Sequence, residues 1–430
     1  MSADNTRLYV HNFLGRSVSV VDISALTTRG EFASTLLATV GSVGTEKMSA
    51  TVLLGKQLFY DARDARLARD SYMSCASCHH DGAHDGRTWD IGAQGEGLRN
   101  TISLRGRAGM GHGRLHWSGN FDEVQDFEGQ IRSLAGGTGL MSDAAFATGT
   151  RNQPLGNAKA GVSTDLDVLA AYVNSLSVMP QSAQRSSTGA LTADAVAGRA
   201  VFAKQNCASC HGGTNFATSG LLLADVGTIK PTSGKRLGEV LRGIDVPTLR
   251  DVAQTGPYLH DGSAAALGAA VTAHRGMAIG DADLGNLVTY LGQIGSEETV
   301  APAALPAGAV QCAAEGRTCT LPAGTPATLY YGANGSYTSK GVVAGAIACN
   351  NASFGDPIFG TGKSCSYVAA VKCAAENATC TVPAGAMATV LYGAGGRYIA
   401  RTVPGGTVLA CNNASFTDPI FGSPKACWLR

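Results

Sequence analysis

Charge is scarce in this chain of 430 residues. Only 15% of them are Asp, Glu, Lys or Arg, and the formal net charge is +1. Nothing in that balance points to nucleic acid or an anionic membrane as the main partner. Long apolar runs are missing as well. No stretch approaches the roughly 20 residues that cross a bilayer, so no transmembrane segment is expected. The opening residues, 1–7, lack the basic-then-apolar pattern of an export signal, so a fragment or a processed form is expected. Cysteine is confined to two places: four of the twelve lie between 75 and 210, and the other eight beyond 310. Glycine, by contrast, is abundant at 56. Such a composition is loop-rich and secreted in character rather than disordered, with room for two to four domains.

The four early cysteines form two copies of one pentapeptide, Cys75-Ala-Ser-Cys78-His79 and Cys207-Ala-Ser-Cys210-His211, 132 residues apart. Cys-x-x-Cys-His is the attachment signature of c-type haem. Two thiols add across the vinyl groups of one porphyrin edge, and the adjacent imidazole becomes an axial ligand of the iron. Zinc or dithiol chemistry would call for a second Cys-x-x-Cys nearby, and neither copy has one. Two covalently attached haem c groups are therefore expected, bound by Cys75, Cys78, Cys207 and Cys210 and ligated by His79 and His211. In bacteria such attachment takes place outside the cytoplasm, and the cysteine-rich tail also fits an oxidising compartment. The expected location is periplasmic, extracellular or at the cell surface.

The expected fold class is mainly α, two cytochrome c-like haem domains followed by small β-rich disulfide modules. Residues 1–45 carry a β-hairpin over 7–24, two alternating runs around Gly15, which resembles the last strand pair of a propeller blade of the Tyr-Val-Thr-Asn type. Residues 46–182 and 190–297 form the two haem domains, joined by a Ser/Gln/Thr-rich linker at 181–190. Each has a helix before its haem motif (50–60 and 192–204) and an apolar closing helix (165–176 and 281–294). A Pro/Ala linker after Glu298 leads into two repeats, 308–368 and 369–430. Cys312, Cys319, Cys349 and Cys365 of the first recur as Cys373, Cys380, Cys411 and Cys427. Four cysteines allow three pairings; Cys312–Cys319 with Cys349–Cys365 is the expected one.

Between about residues 50 and 297 an ordered series of segments accompanies the haem motifs. It runs Leu54-Gly-Lys-Gln-Leu-Phe-Tyr-Asp, Leu98-Arg-Asn-Thr, His116-Trp-Ser-Gly, Gly198-Arg-Ala-Val-Phe, Val246-Pro-Thr-Leu-Arg-Asp and Thr255-Gly-Pro-Tyr-Leu-His-Asp-Gly. This series resembles the bacterial di-haem cytochrome c peroxidases and MauG-type enzymes. The resemblance implies that electrons enter at the C-terminal haem, whose iron has His and usually Met as ligands. The Met position falls fourteen residues after the motif histidine, and counting from His260 gives His274, with Met277 as the alternative. His274 also follows Leu267 and Val271 in helical register. The resemblance further implies that Trp117 lies between the haems and assists electron transfer. It implies a Ca²⁺ held by Asn100, Thr255 and Pro257, hard oxygen donors that suit that ion.

At the N-terminal haem the sequence departs from the family. The distal Glu expected before a Met reads Gly136-Gly-Thr-Gly-Leu-Met141, and the usual switching His is absent between His84 and Asn100. Two readings of Glu128 stay open. On the helical face of Phe121, Val124 and Ile131 it is a candidate catalytic proton carrier, or else a buried structural carboxylate paired with Arg132. His112 and His116 are the candidate distal ligands.

The expected function is an exported di-haem oxidoreductase that takes electrons from a small donor protein, a cytochrome or cupredoxin, and reduces peroxide or another small oxidant. The alternatives are a MauG-like oxidation of an organic or protein substrate, and a non-enzymatic electron-transfer module tethered by the tail. The tail repeats carry Tyr330, Tyr331, Tyr392 and Tyr398, read as exposed rings that could stack on a polysaccharide; the competing reading is a structural spacer.

Overall fold

A computed structural model describes residues 1–217, 222–343, 345–384 and 388–430. In the first haem region the helix Ala50–Tyr60 starts at Ser49, whose hydroxyl accepts the Val52 N–H, and the helix Thr164–Ser175 starts in the same way at Ser163. The two cross at Gly55, where a Cβ would come within 1.8 Å of the Val168 carbonyl oxygen. Only glycine permits so close a crossing. Leu58, Phe59, Leu166, Leu169 and Tyr172 fill the seam, and Phe59 meets Tyr172 edge-on at 5.1 Å. The second region repeats this device. Helices Ala193–Lys204, capped by Thr192, and Asp281–Gly292 cross at Gly198, where a Cβ would lie 1.9 Å from the Asn286 carbonyl oxygen.

Strands weigh as much as helices. About a quarter of the residues are in each, so the chain is a mixed α and β protein rather than a mainly α one. One cause lies at the N-terminus, where Thr35–Gly41 adds a third strand to the expected hairpin Arg7–Asn12 and Ser17–Asp22. A lone hairpin is marginal in water. This one gains a strand and docks on the helix Ala50–Tyr60, with Phe13 4.9 Å from Tyr60 and Gln57 donating to the Leu14 carbonyl.

The tail supplies most of the remaining strands. Each repeat is a four-stranded antiparallel arrangement with two disulfides, Cys312–Cys319 and Cys349–Cys365, then Cys373–Cys380 and Cys411–Cys427. The pairing is the expected one, and the second repeat copies it. The tail is not a string of beads on a free linker, however. Val300, Ala301 and Ala303 of the Pro/Ala stretch are buried. The strand Arg397–Val403 pairs in parallel with Leu222–Asp225 of the second haem region, which pairs with Ile244–Asp245 to complete a six-stranded sheet. Ser339 donates to the Ala208 carbonyl and Arg430 to the Ser209 carbonyl, so both repeats touch the second haem-attachment loop. The four tail tyrosines are corrected by the same packing. Tyr330, Tyr331, Tyr392 and Tyr398 are all buried, Tyr331 stacked on Phe354 and Tyr392 on Phe416, and none offers a surface for a sugar. Among the described residues no helix is long and apolar enough to cross a membrane.

Candidate functional site

Both pentapeptides fold as a single tight turn. In the first, Cys75–Cys78 is one helical turn with reciprocal Ser74 and Ser77 hydrogen bonds at its start, and the His79 amide returns to the Cys75 carbonyl. In the second, Cys207–Ser209 is a 3₁₀ turn and the His211 amide returns to the Cys207 carbonyl. One turn places both sulfurs on the same side. None of the four cysteines is in a disulfide. Burial pushes the Cys75 thiol up to about 11 and the Cys207 thiol up to about 12.

Three imidazoles are oriented alike. His79 Nδ1 lies 3.3 Å from the Ala83 carbonyl, His211 Nδ1 3.1 Å from the Pro247 carbonyl and His274 Nδ1 2.9 Å from the Ala270 carbonyl. A carbonyl oxygen only accepts, so each Nδ1 carries the proton and Nε2 is the nitrogen whose lone pair could ligate a metal. His211 and His274 share a cavity of about 360 Å³ with Cys207, Cys210 and Met277. Burial holds His211 down at about 4, and the charge of His274 adds to the shift. The two rings are therefore neighbours in one apolar chamber. Arg105, Arg107, Arg250 and Arg275 line it too, and guanidinium groups suit the propionate carboxylates of haem. The donor set, the cavity and its cationic wall fit the group that the motifs imply.

The chamber reaches across to the first region, where Asn100, His116 and Trp117 line it. Trp117 donates its indole N–H to the Asn100 carbonyl at 2.8 Å, and its own carbonyl accepts the Asp245 amide at 2.7 Å. It thus sits on the seam between the two haem regions. His116, at a positive φ of 66°, turns its ring into the first core, 4.1 Å from Phe121. Burial holds the His79 imidazole below its ordinary value, with a smaller push from the charge of His116. Of the two distal candidates, His116 is the one within the field of His79. His112 is buried between the charges of Arg107 and Arg250, and burial above all lowers it to about 3; its Nδ1 has no partner among the described residues.

Behind His116 lies a chain of polar groups not anticipated from the sequence. His116 Nδ1 is 2.7 Å from Asn120 Oδ1, Asn120 Nδ2 donates to Glu96 Oε1 at 2.6 Å, and Arg99 Nε donates to Glu96 Oε2 at 3.0 Å. Glu96 and Asn120 are both buried. A carboxylate twenty residues upstream of the imidazole it supports gives no local spacing signal.

Glu128 is fully buried, and its carboxylate is already engaged. Oε1 accepts from Arg132 Nε at 2.8 Å and from the Met141 amide at 3.1 Å, and Oε2 accepts from the Leu140 amide at 2.9 Å. Of its two readings, these bonds favour the structural pair with Arg132. At the candidate Ca²⁺ position Asn100 contacts the Pro257 carbonyl, and its Oδ1 is buried without a partner among the described residues. Thr255 lines the same chamber as Asn100. An orphaned amide oxygen beside backbone carbonyls fits a hard cation.

Residues 49–184, which include the first attachment loop, match the family model described as di-haem cytochrome c peroxidase. The chain is 27% identical over 247 residues to hydrazine synthase subunit gamma of Kuenenia stuttgartiensis, covering 48% of this chain and 66% of that protein. It is 28% identical over 258 residues to cytochrome c peroxidase Ccp of Escherichia coli (strain K12), covering 51% and 52%. To methylamine utilization protein MauG of Methylophilus methylotrophus it is 26% identical over 251 residues, covering 53% and 72%. The chain thus spans between half and two thirds of the first two relatives. Residues 49–184 carry the di-haem cytochrome c peroxidase and MauG family domain.

Proposed function

We propose that the protein is an exported di-haem c-type oxidoreductase that passes electrons from the His211 haem to the His79 haem and there reduces peroxide. Bound haem c would supply the one-electron redox couple at each loop. Cys75, Cys78 and His79 would hold the first group; Cys207, Cys210, His211 and His274 the second. His211 and His274 would both serve as ligands of the second group, an arrangement that would suit electron entry from a small cytochrome or cupredoxin rather than chemistry. A second nitrogen ligand in place of a thioether also lowers its potential and favours passing the electron on. Trp117, on the seam, is the bridging side chain. Asn100 Oδ1 with the carbonyls of Thr255 and Pro257 would hold Ca²⁺ across the same seam.

The observation that carries the peroxide reading is the chain from the buried Glu96 and Asn120 to the half-buried His116, which lies within the electrostatic reach of His79. Reduction of H₂O₂ to two waters consumes two electrons and two protons, and a proton must leave one peroxide oxygen and reach the other. Asn120 holds the Nδ1–H of His116, which leaves Nε2 as the proton acceptor and later the donor. Glu96 fixes Asn120 and stabilises the imidazolium that forms in between. Glu128 takes no part in this scheme. His116→Gln should slow peroxide reduction on the order of 100-fold or more while both haems remain attached. An unchanged rate in stopped-flow absorbance would overturn the assignment.

One observation favours a second reading, a relay without catalysis. His116 lies within the electrostatic reach of His79 as His274 does of His211, and each of these two has its Nδ1 engaged. If His116 ligates the first iron permanently, that site is closed to peroxide and the protein only transfers electrons. Disulfides in the tail and covalent haem attachment support export in either reading.

A further inference from the structure

The two attachment loops have one sequence, Cys-Ala-Ser-Cys-His, but different covers. The first is packed by its own region, where Cys75 joins a core drawn wholly from residues 52–176. The second is packed by the tail. Tyr330 and Val368 of the first repeat share the core that Cys207 joins, and Leu391, Tyr398 and Trp428 of the second repeat cluster with Cys210. The fit is close: a Cβ on Gly212, just past His211, would lie 2.7 Å from the Ser339 carbonyl oxygen.

A charge comes with that cover. Arg430 is fixed by its backbone, whose amide donates to the Thr389 carbonyl at 2.9 Å and whose carbonyl accepts the Thr389 amide at 3.3 Å. From there the guanidinium reaches the loop. Nη2 donates to the Ser209 carbonyl at 3.3 Å and lies 3.8 Å from Cys210 Sγ. Nη1 is buried with no hydrogen-bond partner among the described residues. Cys210 Sγ is an atom that would become a thioether sulfur on the porphyrin edge, so this guanidinium stands against the point of attachment.

We propose that Arg430 tunes the second haem, raising its reduction potential from the tail. Ferric haem carries one more positive charge than ferrous haem, so a fixed cation beside it favours the reduced state. The apolar side chains around Cys210 lower the local dielectric and strengthen that effect. Hydrogen bonding and burial are two of the means by which a protein sets a haem potential. The direction opposes the lowering expected from two imidazole ligands and brings the second haem within reach of a donor of moderate potential. Arg430 acts through the attachment loop and touches no substrate. The inference rests on the two-haem reading, and not on what the first haem reduces.

The test is a spectroelectrochemical titration of the haem-loaded full chain, each haem taking up one electron. The wave that His274→Met displaces identifies the second haem. Arg430→Gln should lower that wave by about 59 mV, a tenfold fall in the reduced-to-oxidised ratio at a fixed potential, and leave the first haem's wave in place. Arg430→Lys keeps the charge and should stay close to wild type. Arg430→Met, neutral and unbranched, supplies a second neutral variant should the amide disturb the loop. Haem is counted first as the pyridine haemochrome. A single haem in the wild type overturns this proposal and the two-haem reading together. With two haems attached, three outcomes overturn the tuning role alone: a second wave unmoved by Arg430→Gln, an equal fall of both waves, or a fall in Arg430→Lys as large as in Arg430→Gln. Loss of the second haem from both neutral variants would make the contact a structural one and overturn it as well.

Discussion

Glu128 decides whether the first haem region owes a buried carboxylate to catalysis or to folding. The side chain is inaccessible and accepts three hydrogen bonds, from Arg132 and from the Leu140 and Met141 amides. The segment that supplies those amides closes directly over it. At Gly139, with φ at +92°, a Cβ would lie 2.2 Å from Glu128 Oε1. Glu128→Ala would leave two buried amides without an acceptor and remove one partner of Arg132, which keeps Asp143 and the Met141 carbonyl. Breaking a buried pair by removing one partner costs about 3–5 kcal/mol. Because Arg132 retains those other partners, the lower end applies, about 3 kcal/mol. In a region of this size that corresponds to a drop in melting temperature of roughly 10 °C. Glu128→Gln keeps one carbonyl acceptor and should lose about 1–2 kcal/mol. The assay is thermal and urea unfolding of the haem-loaded protein, followed by circular dichroism, alongside the peroxide rate of the folded fraction. Both variants should be destabilised in that order, with the rate per folded haem unchanged. A Glu128→Gln protein that melts like wild type but reduces peroxide tenfold more slowly would refute the reasoning and return Glu128 to the proton path.

Further expectations follow from the second haem site and the seam. His274→Gly should convert the second haem to a high-spin form that binds added imidazole, seen in the visible spectrum; an unchanged low-spin spectrum would move the ligand to Met277. His274→Met should instead raise its midpoint potential in a spectroelectrochemical titration. Asp261 links the seam to Lys230 at 2.8 Å. Burial pushes its carboxyl up, but the bonds from Lys230 and Ser263 and the charge of His260 outweigh that and bring it down to about 2. A carboxyl whose folded value lies below its unfolded one adds stability that is full above about pH 4 and is lost as the pH falls towards 2. With solvent screening this amounts to about 1 kcal/mol. Urea midpoints of wild type and Asp261→Asn should therefore converge between pH 4 and 2, and a constant gap across that window would contradict the assignment.

Much of this architecture was legible because its signals are local. The helix Ala50–Tyr60 has its expected bounds, and Thr192 caps the helix of the second region, since apolar periodicity and capping residues act within a few positions. The tail disulfides join cysteines only 7 and 16 residues apart, and short loops favour that pairing. What stayed hidden is long-range. Nothing near residues 222–225 announces that they pair with a strand at 397–403, and that pairing turns a supposed tether into part of the second haem region. The tyrosines were misread for a related reason. In an alternating strand the pattern marks two faces but not which one is covered, and here Tyr331 and Tyr392 face the disulfide cores. The Glu96–Asn120–His116 chain joins Glu96 to a turn some twenty residues on that holds both His116 and Asn120, and no spacing rule reports it.

The most direct test of the central claim is the electron paramagnetic resonance spectrum of the isolated protein, oxidised and half-reduced, with and without cyanide. Reduction of peroxide at the His79 haem requires that iron to open. The account predicts one low-spin centre that ignores cyanide, the His211 haem, and one centre that becomes high-spin and binds cyanide once the other haem is reduced. Two low-spin centres indifferent to cyanide in both states would contradict it and leave an electron relay in its place.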